Sequence, residues 1–213
     1  MNELLKQLFG AVLEGDQQAA AIHVQTAIDA GVEPAEILNL GMVAAMSEVG
    51  RLFENGEYYV PEMLIAARAM QACMVLLKPK LQQNNVKSAG KVIIGTVKGD
   101  LHDIGKNLVA LMLEGAGFEI NDLGTDVSPE KFVDAIRSEK GSLVALSALL
   151  TTTMPSMKTI IEAISEAGLR QQVKILIGGA PVTEAFAQQI GADGYASDAS
   201  RAVTQARLLL DAM

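Results

Sequence analysis

Apolar positions in residues 2–14 recur as Leu4, Leu5, Leu8, Phe9 and Val12. That is one face of a 3.6-residue period and predicts a helix. Asp16 is placed to cap a second helix running to about Ala30, and Gly31 ends it. Glu33-Pro34 opens a third, since proline is tolerated in a first turn. It runs through Ile37, Leu40, Val43, Ala44 and Val49 toward Phe53, where Asn55-Gly56 closes it. A fourth helix begins at Val60-Pro61-Glu62 and is expected to stop near Leu77, ahead of Pro79. Four amphipathic helices with short turns predict a small bundle over residues 1–85. Residues 79–90, PKLQQNNVKSAG, are polar and aperiodic, and read as a linker.

After residue 90 the period changes. KVIIGTV (91–97) is a continuous apolar, β-branched run, followed by a helix from about Gly105 to Glu114. FEINDLG (118–124) precedes a helix opened by Ser128-Pro129-Glu130, and SLVALSAL (142–149) precedes one from Pro155 to about Ala167. KILIGGA (174–180), a helix from Thr183, a short GYAS (194–197) and a final helix from Ala199 to about Leu210 complete the chain. Five β–α units with apolar strands predict a parallel sheet covered on both faces. The expected α/β fold of residues 90–213 is flavodoxin-like (Rossmann-like), a doubly wound parallel five-stranded sheet in the order 2-1-3-4-5, behind the N-terminal four-helix bundle. Ligands of such sheets sit at the strands' carboxyl ends, so the loops after residues 97, 124, 149 and 178 are expected to line a site.

Composition narrows the chemistry. The 213 residues carry 17 Lys and Arg against 25 Asp and Glu, a net charge of −8, which argues against nucleic acid and anionic lipid as partners. Cys73 is the single cysteine, which excludes an internal disulfide framework and fits a reducing cytoplasm. His23 and His102 are the only histidines, too few for a multi-histidine metal cage. The N-terminal segment lacks the pattern of a signal peptide, and no apolar run reaches the roughly 18 residues of a membrane span.

Candidate chemistry falls in the predicted loops. Gly99-Asp100-Leu101-His102-Asp103-Ile104-Gly105 follows the first strand. A histidine there is placed as a base or metal ligand, and Asp100, two residues earlier, can accept the proton on the other ring nitrogen. The plainer alternative is a polar loop capping the next helix. Ser147 ends the third strand, where a hydroxyl must bond either backbone or ligand. Gly178-Gly179 ends the fourth and reads either as a turn or as room for a flat group. A P-loop lysine and a G-x-G-x-x-G fingerprint are both missing.

Taken together, Asp-x-His-x-x-Gly (Asp100, His102, Gly105), Ser-x-Leu (Ser147, Leu149) and Gly-Gly (Gly178, Gly179), in this order on successive β–α loops, resemble the cobalamin-binding signature. TVKGDLHDIGKN and DLG-x-x-VSPE are similar to the corrinoid domain of methionine synthase, and GEYYVPEML-x-AA-x-AM to the cap domain that precedes it. Length and layout resemble the free-standing corrinoid proteins of methylotrophic methyltransferase systems.

The resemblance implies cobalamin, as methylcobalamin or a related corrinoid, with cobalt held from below by His102 in the "base-off, His-on" manner. Asp100 is then the partner of the imidazole, and Thr153 stands where the family usually has a serine as third member of the relay. Asp103, Gly105, Ser147, Leu149, Thr151, Gly178 and Gly179 are implied as cofactor contacts, and Met63 as part of the cap over the upper face. Gly124, Thr125 and Asp126 fall near the expected nucleotide edge. The implied function is a methyl carrier with no complete active site of its own. Its implied partners are a substrate:corrinoid methyltransferase, a methylcorrinoid:acceptor methyltransferase and a reductive activase. The alternative within the resemblance is a cobalamin-dependent sensor without a DNA-binding domain. A mutase small subunit would usually lack such a cap, and a receiver domain would need an acidic cluster that is not evident here.

Overall fold

A computed structural model describes residues 2–84, 86–139 and 143–212. Asn85 in the predicted linker and Ser142 at the head of the third predicted strand lie outside them. The chain divides into two compact units, Met1–Ser88 with Glu114–Gly117, and Ala89–Leu113 with Phe118–Met213.

The first unit is helical: α1 (Glu3–Leu13), α2 (Gln17–Asp29), α3 (Pro34–Glu36), α4 (Ala44–Glu54) and α5 (Val60–Gln83). Asp16 caps α2, its carboxylate accepting the Ala19 N–H at 2.9 Å. Leu5, Leu8, Val12, Val24, Met42, Val49, Met63 and Met70 form the buried interior. Two departures from the periodicity stand out. Between α3 and α4, where one regular helix is predicted, Ile37–Val43 is π-helical, and the Ala44 N–H reaches the carbonyl of Asn39 five residues back.

The second departure is α5, which runs through Pro79 to Gln83 rather than stopping near Leu77. Leu77 and Leu81 straddle the proline one helical turn apart, and both are buried. Their burial holds the helix where local chemistry alone would end it. α5 is also long and apolar enough, by length and composition, to cross a membrane, contrary to the expectation from apolar runs. Eight of its residues, among them Met63, Ala66, Met70 and Cys73, are buried, as in a core helix. Burial pushes the Cys73 thiol up to about 12.

The second unit alternates β1 (Lys91–Thr96), α6 (Ile104–Gly115), β2 (Glu119–Asp122), α7 (Pro129–Glu139), β3 (Leu143–Ser147), α8 (Pro155–Glu166), β4 (Lys174–Gly178), α9 (Glu184–Ile190), β5 (Gly194–Ala196) and α10 (Ala199–Asp211). The five strands are parallel in the order β2-β1-β3-β4-β5, as the sequence predicts. Central strands β1, β3 and β4 bury Ile93, Val144, Ile175 and Ile177 against Phe132, Met157, Ile160 and Ile164. Edge strands β2 and β5 are only partly covered. Thr96 pairs with Ser147 and Ser147 with Gly178, so these three residues form one row at the carboxyl ends.

Candidate functional site

The β1–α6 loop leaves that row as an exposed segment built around one fully buried acid, Asp100. Its Oδ1 lies 2.7 Å from His102 Nδ1 and accepts the His102 backbone N–H at 3.1 Å. Its Oδ2 accepts the Thr153 hydroxyl at 2.7 Å and the Leu149 N–H at 2.8 Å. Burial pushes the Asp100 carboxyl up, but the Thr153 hydroxyl, the Leu149 N–H and His102 outweigh it and hold the group well below the usual carboxylate range. A charged carboxylate only accepts, so the Asp100–His102 contact fixes the ring proton on Nδ1. Nε2 is left as a lone-pair donor on a ring that is half exposed.

Two further contacts hold the loop. The buried Thr96 hydroxyl donates to the His102 carbonyl at 2.8 Å. The Asp126 N–H donates to the Asp100 carbonyl at 2.9 Å. Behind the loop, the buried Lys106 ammonium donates to Asp122 and to Asn107 Oδ1, and Asp122 in turn takes the Gly124 N–H at 2.9 Å. This ties the start of α6 to the end of β2.

Asp100, His102, Leu149 and Thr153 are thus brought together as one hydrogen-bonded cluster. Asp103 is exposed and takes the Asn107 side-chain amide at 3.1 Å. Ser147 is half-buried in the strand-end row, and Thr151 is exposed in the following turn. Met63 is fully buried on α5 of the helical unit.

The three signature glycines differ. A β-carbon on Gly179, whose φ is +135°, would lie 1.9 Å from the Ala148 carbonyl oxygen, so the fold itself demands a glycine there. On Gly178 it would lie 3.1 Å from the Ala196 carbonyl oxygen. On Gly105 it would meet nothing within 4 Å, and the backbone there is ordinary, so nothing in the chain itself requires that glycine.

Sequence reasoning missed Thr96, the Leu149 N–H and, of the apolar rim, Leu101, Ile104 and Leu150. Leu101 and Ile104 flank His102 with exposures of 74% and 85%, and Leu149 and Leu150 are also exposed. Two large apolar residues close together in a Gly- and Asp-rich loop were the available signal, because a cluster of exposed apolar side chains marks an interaction site more than single ones do.

The comparisons with known proteins give the family and the fold. The B12 binding domain family matches residues 90–204, and a second B12 binding domain family matches residues 4–78. Dimethylamine corrinoid protein 1 of Methanosarcina acetivorans is 44% identical over 210 residues, 98% of each chain. Trimethylamine corrinoid protein 1 of the same organism is 42% identical over 211 residues, again 98% of each. Among solved structures, a cobalamin-binding protein from Desulfitobacterium hafniense is 33% identical, with TM-score 0.81, covering 96% of this chain and 98% of that one. The methanol:cobalamin methyltransferase complex of Methanosarcina barkeri contains a chain 29% identical, with TM-score 0.87, covering all of this chain and 81% of that one. Both halves of the sequence are accounted for, and the chain belongs to the corrinoid-protein branch of the B12 binding family.

Proposed function

We propose that this chain is a methyl carrier that holds its corrinoid base-off and His-on, taking a methyl group from a substrate-specific methyltransferase and delivering it to an acceptor methyltransferase. The observation that carries the reading is His102 itself, with Nδ1 tied to the buried Asp100 and Nε2 left to donate at the sheet's carboxyl edge. Among the described residues, no group of three or more His, Cys, Asp and Glu could hold a bare ion. A lone imidazole suits a metal whose equatorial positions are already filled by a ring. The open space over Gly105 and the exposed Leu101, Ile104, Leu149 and Leu150 fit the underside of such a ring.

When bound, the corrinoid cobalt supplies a strong nucleophile in its reduced state and a transferable methyl group in its alkylated state. The chain's own part is to supply and withdraw one nitrogen. While His102 ligates, Asp100 keeps its proton on Nδ1. Were the ring to leave the cobalt, the Asp100 carboxylate would still hold Nδ1 and keep the imidazole oriented for return. Thr153 and the Leu149 N–H hold the carboxylate in place through both states. Ser147, Leu149, Gly178 and Gly179 would line the path of the displaced nucleotide tail, and Asp103 and Thr151 would contact the cofactor. Met63 as part of a lid, a reductive activase as third partner and a cytoplasmic setting rest on the resemblance and on the single buried thiol. The relatives' names favour a methylated amine as methyl donor.

Reconstitution with hydroxocobalamin tests the reading. The wild-type chain is expected to stay coloured after desalting, and H102A to bind with water as the lower ligand and a changed cob(III)alamin spectrum. A colourless wild type overturns corrinoid binding, and an H102A spectrum identical to wild type overturns the ligation. Transfer from methylamine, dimethylamine, trimethylamine or methanol, each with its methyltransferase, tests the carrier role and the donor; no transfer with any of them overturns the carrier reading.

A further inference from the structure

We propose that Asp126 is a positioning residue for His102, acting from the β2–α7 loop through the Gly99–Asp100 peptide; this rests on His102 being the cobalt ligand. Among the described residues Asp126 is the only non-glycine with a left-handed backbone, at φ 53°. In that conformation its main chain and side chain grip three consecutive residues. Its N–H donates to the Asp100 carbonyl at 2.9 Å. Its Oδ1 accepts the Gly99 N–H at 2.8 Å, and its Oδ2 accepts Lys98 Nζ at 2.9 Å.

These contacts flank the residue whose carboxylate orients His102. The carboxylate is clamped on one side by the Leu149 N–H and the Thr153 hydroxyl. The main chain that carries it is clamped on the other side by Asp126. Asp100 holds both oxygens on their donors only if its backbone stays at one position, because a short aspartate side chain cannot absorb a main-chain shift. Thr96, through the His102 carbonyl, fixes the far end of the same loop. Asp126 is itself exposed and makes no hydrogen bond to Asp100's carboxylate or to the imidazole, so it acts only through the peptide between them.

The test separates the side chain from the backbone conformation. D126G accepts the positive φ and deletes the acceptor, whereas D126N keeps an acceptor and also tolerates that φ. K98M deletes only the exposed ion pair. Because the chain has two histidines, an H23Q background leaves one imidazole, whose tautomer is read from its ¹⁵N shifts in the cofactor-free protein. D126G is expected to turn the single Nδ1–H tautomer into a mixture. In the cobalamin-loaded protein it is expected to lower the ratio of His-on to His-off cob(II)alamin, read by EPR, about fivefold, the equivalent of one ordinary hydrogen bond. D126N and K98M are expected to match wild type; should the glycine variant not fold, D126A is expected to fall below D126S, which carries the same backbone strain but retains an oxygen acceptor. D126G equal to wild type in both measurements overturns the proposal. H102A leaving the EPR signal unchanged overturns the ligation instead, while the tautomer measurement still judges Asp126.

Discussion

The β1–α6 and β4–α9 loops leave the same carboxyl edge of the sheet, yet they are shaped by opposite means. The first is held by directional bonds: Asp100 gathers His102, Leu149 and Thr153, while Thr96 and Asp126 pin the main chain on either side. Its own side chains at 101 to 105 are all exposed. The second loop is shaped by what is missing, since Gly179 has only an α-hydrogen where any β-carbon would collide with the Ala148 carbonyl. Polar anchoring leaves a loop free to present side chains to a ligand, because its shape does not depend on what those side chains touch. Steric anchoring lets two backbones close on each other and leaves nothing to vary. A glycine in a signature therefore carries two meanings. Gly179 answers to the fold, whereas no contact within the described chain requires Gly105.

The largest effect that sharpens this contrast is expected from G179A. The backbone conformation alone costs about 1–3 kcal/mol for a non-glycine residue, and the overlap with Ala148 adds to it. Urea unfolding of the cofactor-free protein measures it, and a loss under 1 kcal/mol would break the steric account. Next comes T153V, which takes one donor from a buried charged acceptor and is expected to cost about 1–3 kcal/mol, while T153S stays near wild type. Asp100 is held below its ordinary value, so its contribution is complete above about pH 4 and is lost as pH falls through the lowered value. The gap between wild type and T153V in unfolding free energy is therefore expected to narrow on acidification, and a gap independent of pH counts against a charged Asp100. The smallest effect on stability is expected from G105A, within about 1 kcal/mol and in the stabilising direction, because alanine is the better helix former. The same variant is expected to bind hydroxocobalamin more weakly in equilibrium titration. Unaltered affinity would remove the argument that Gly105 makes room for a ring.

The sequence made some of the site legible. Asp100 and His102 lie two residues apart, so their contact is local and could be read from spacing alone. The strand order followed from five apolar runs alternating with helices. Thr153 stands 53 residues from Asp100 and was placed only by family resemblance. The resemblance puts Asp126 near the nucleotide edge, and spacing gave no sign that its side chain also grips the β1–α6 loop. The Leu149 N–H carries no side-chain signature at all, and the Thr96 hydroxyl resembles any other β-strand threonine. Pro79 misled the helix boundary because burial of Leu77 and Leu81 overrides a local stop signal.

By itself, the sequence determined the layout of helices and strands and the pair of groups that face each other within one loop, because periodicity and short spacing act along the chain. The tertiary structure alone decided which distant donors hold Asp100, which glycine the fold demands and which it leaves open, and how far α5 extends. Those outcomes depend on the register between strands and on the burial of residues far apart in the chain, and a linear pattern encodes neither.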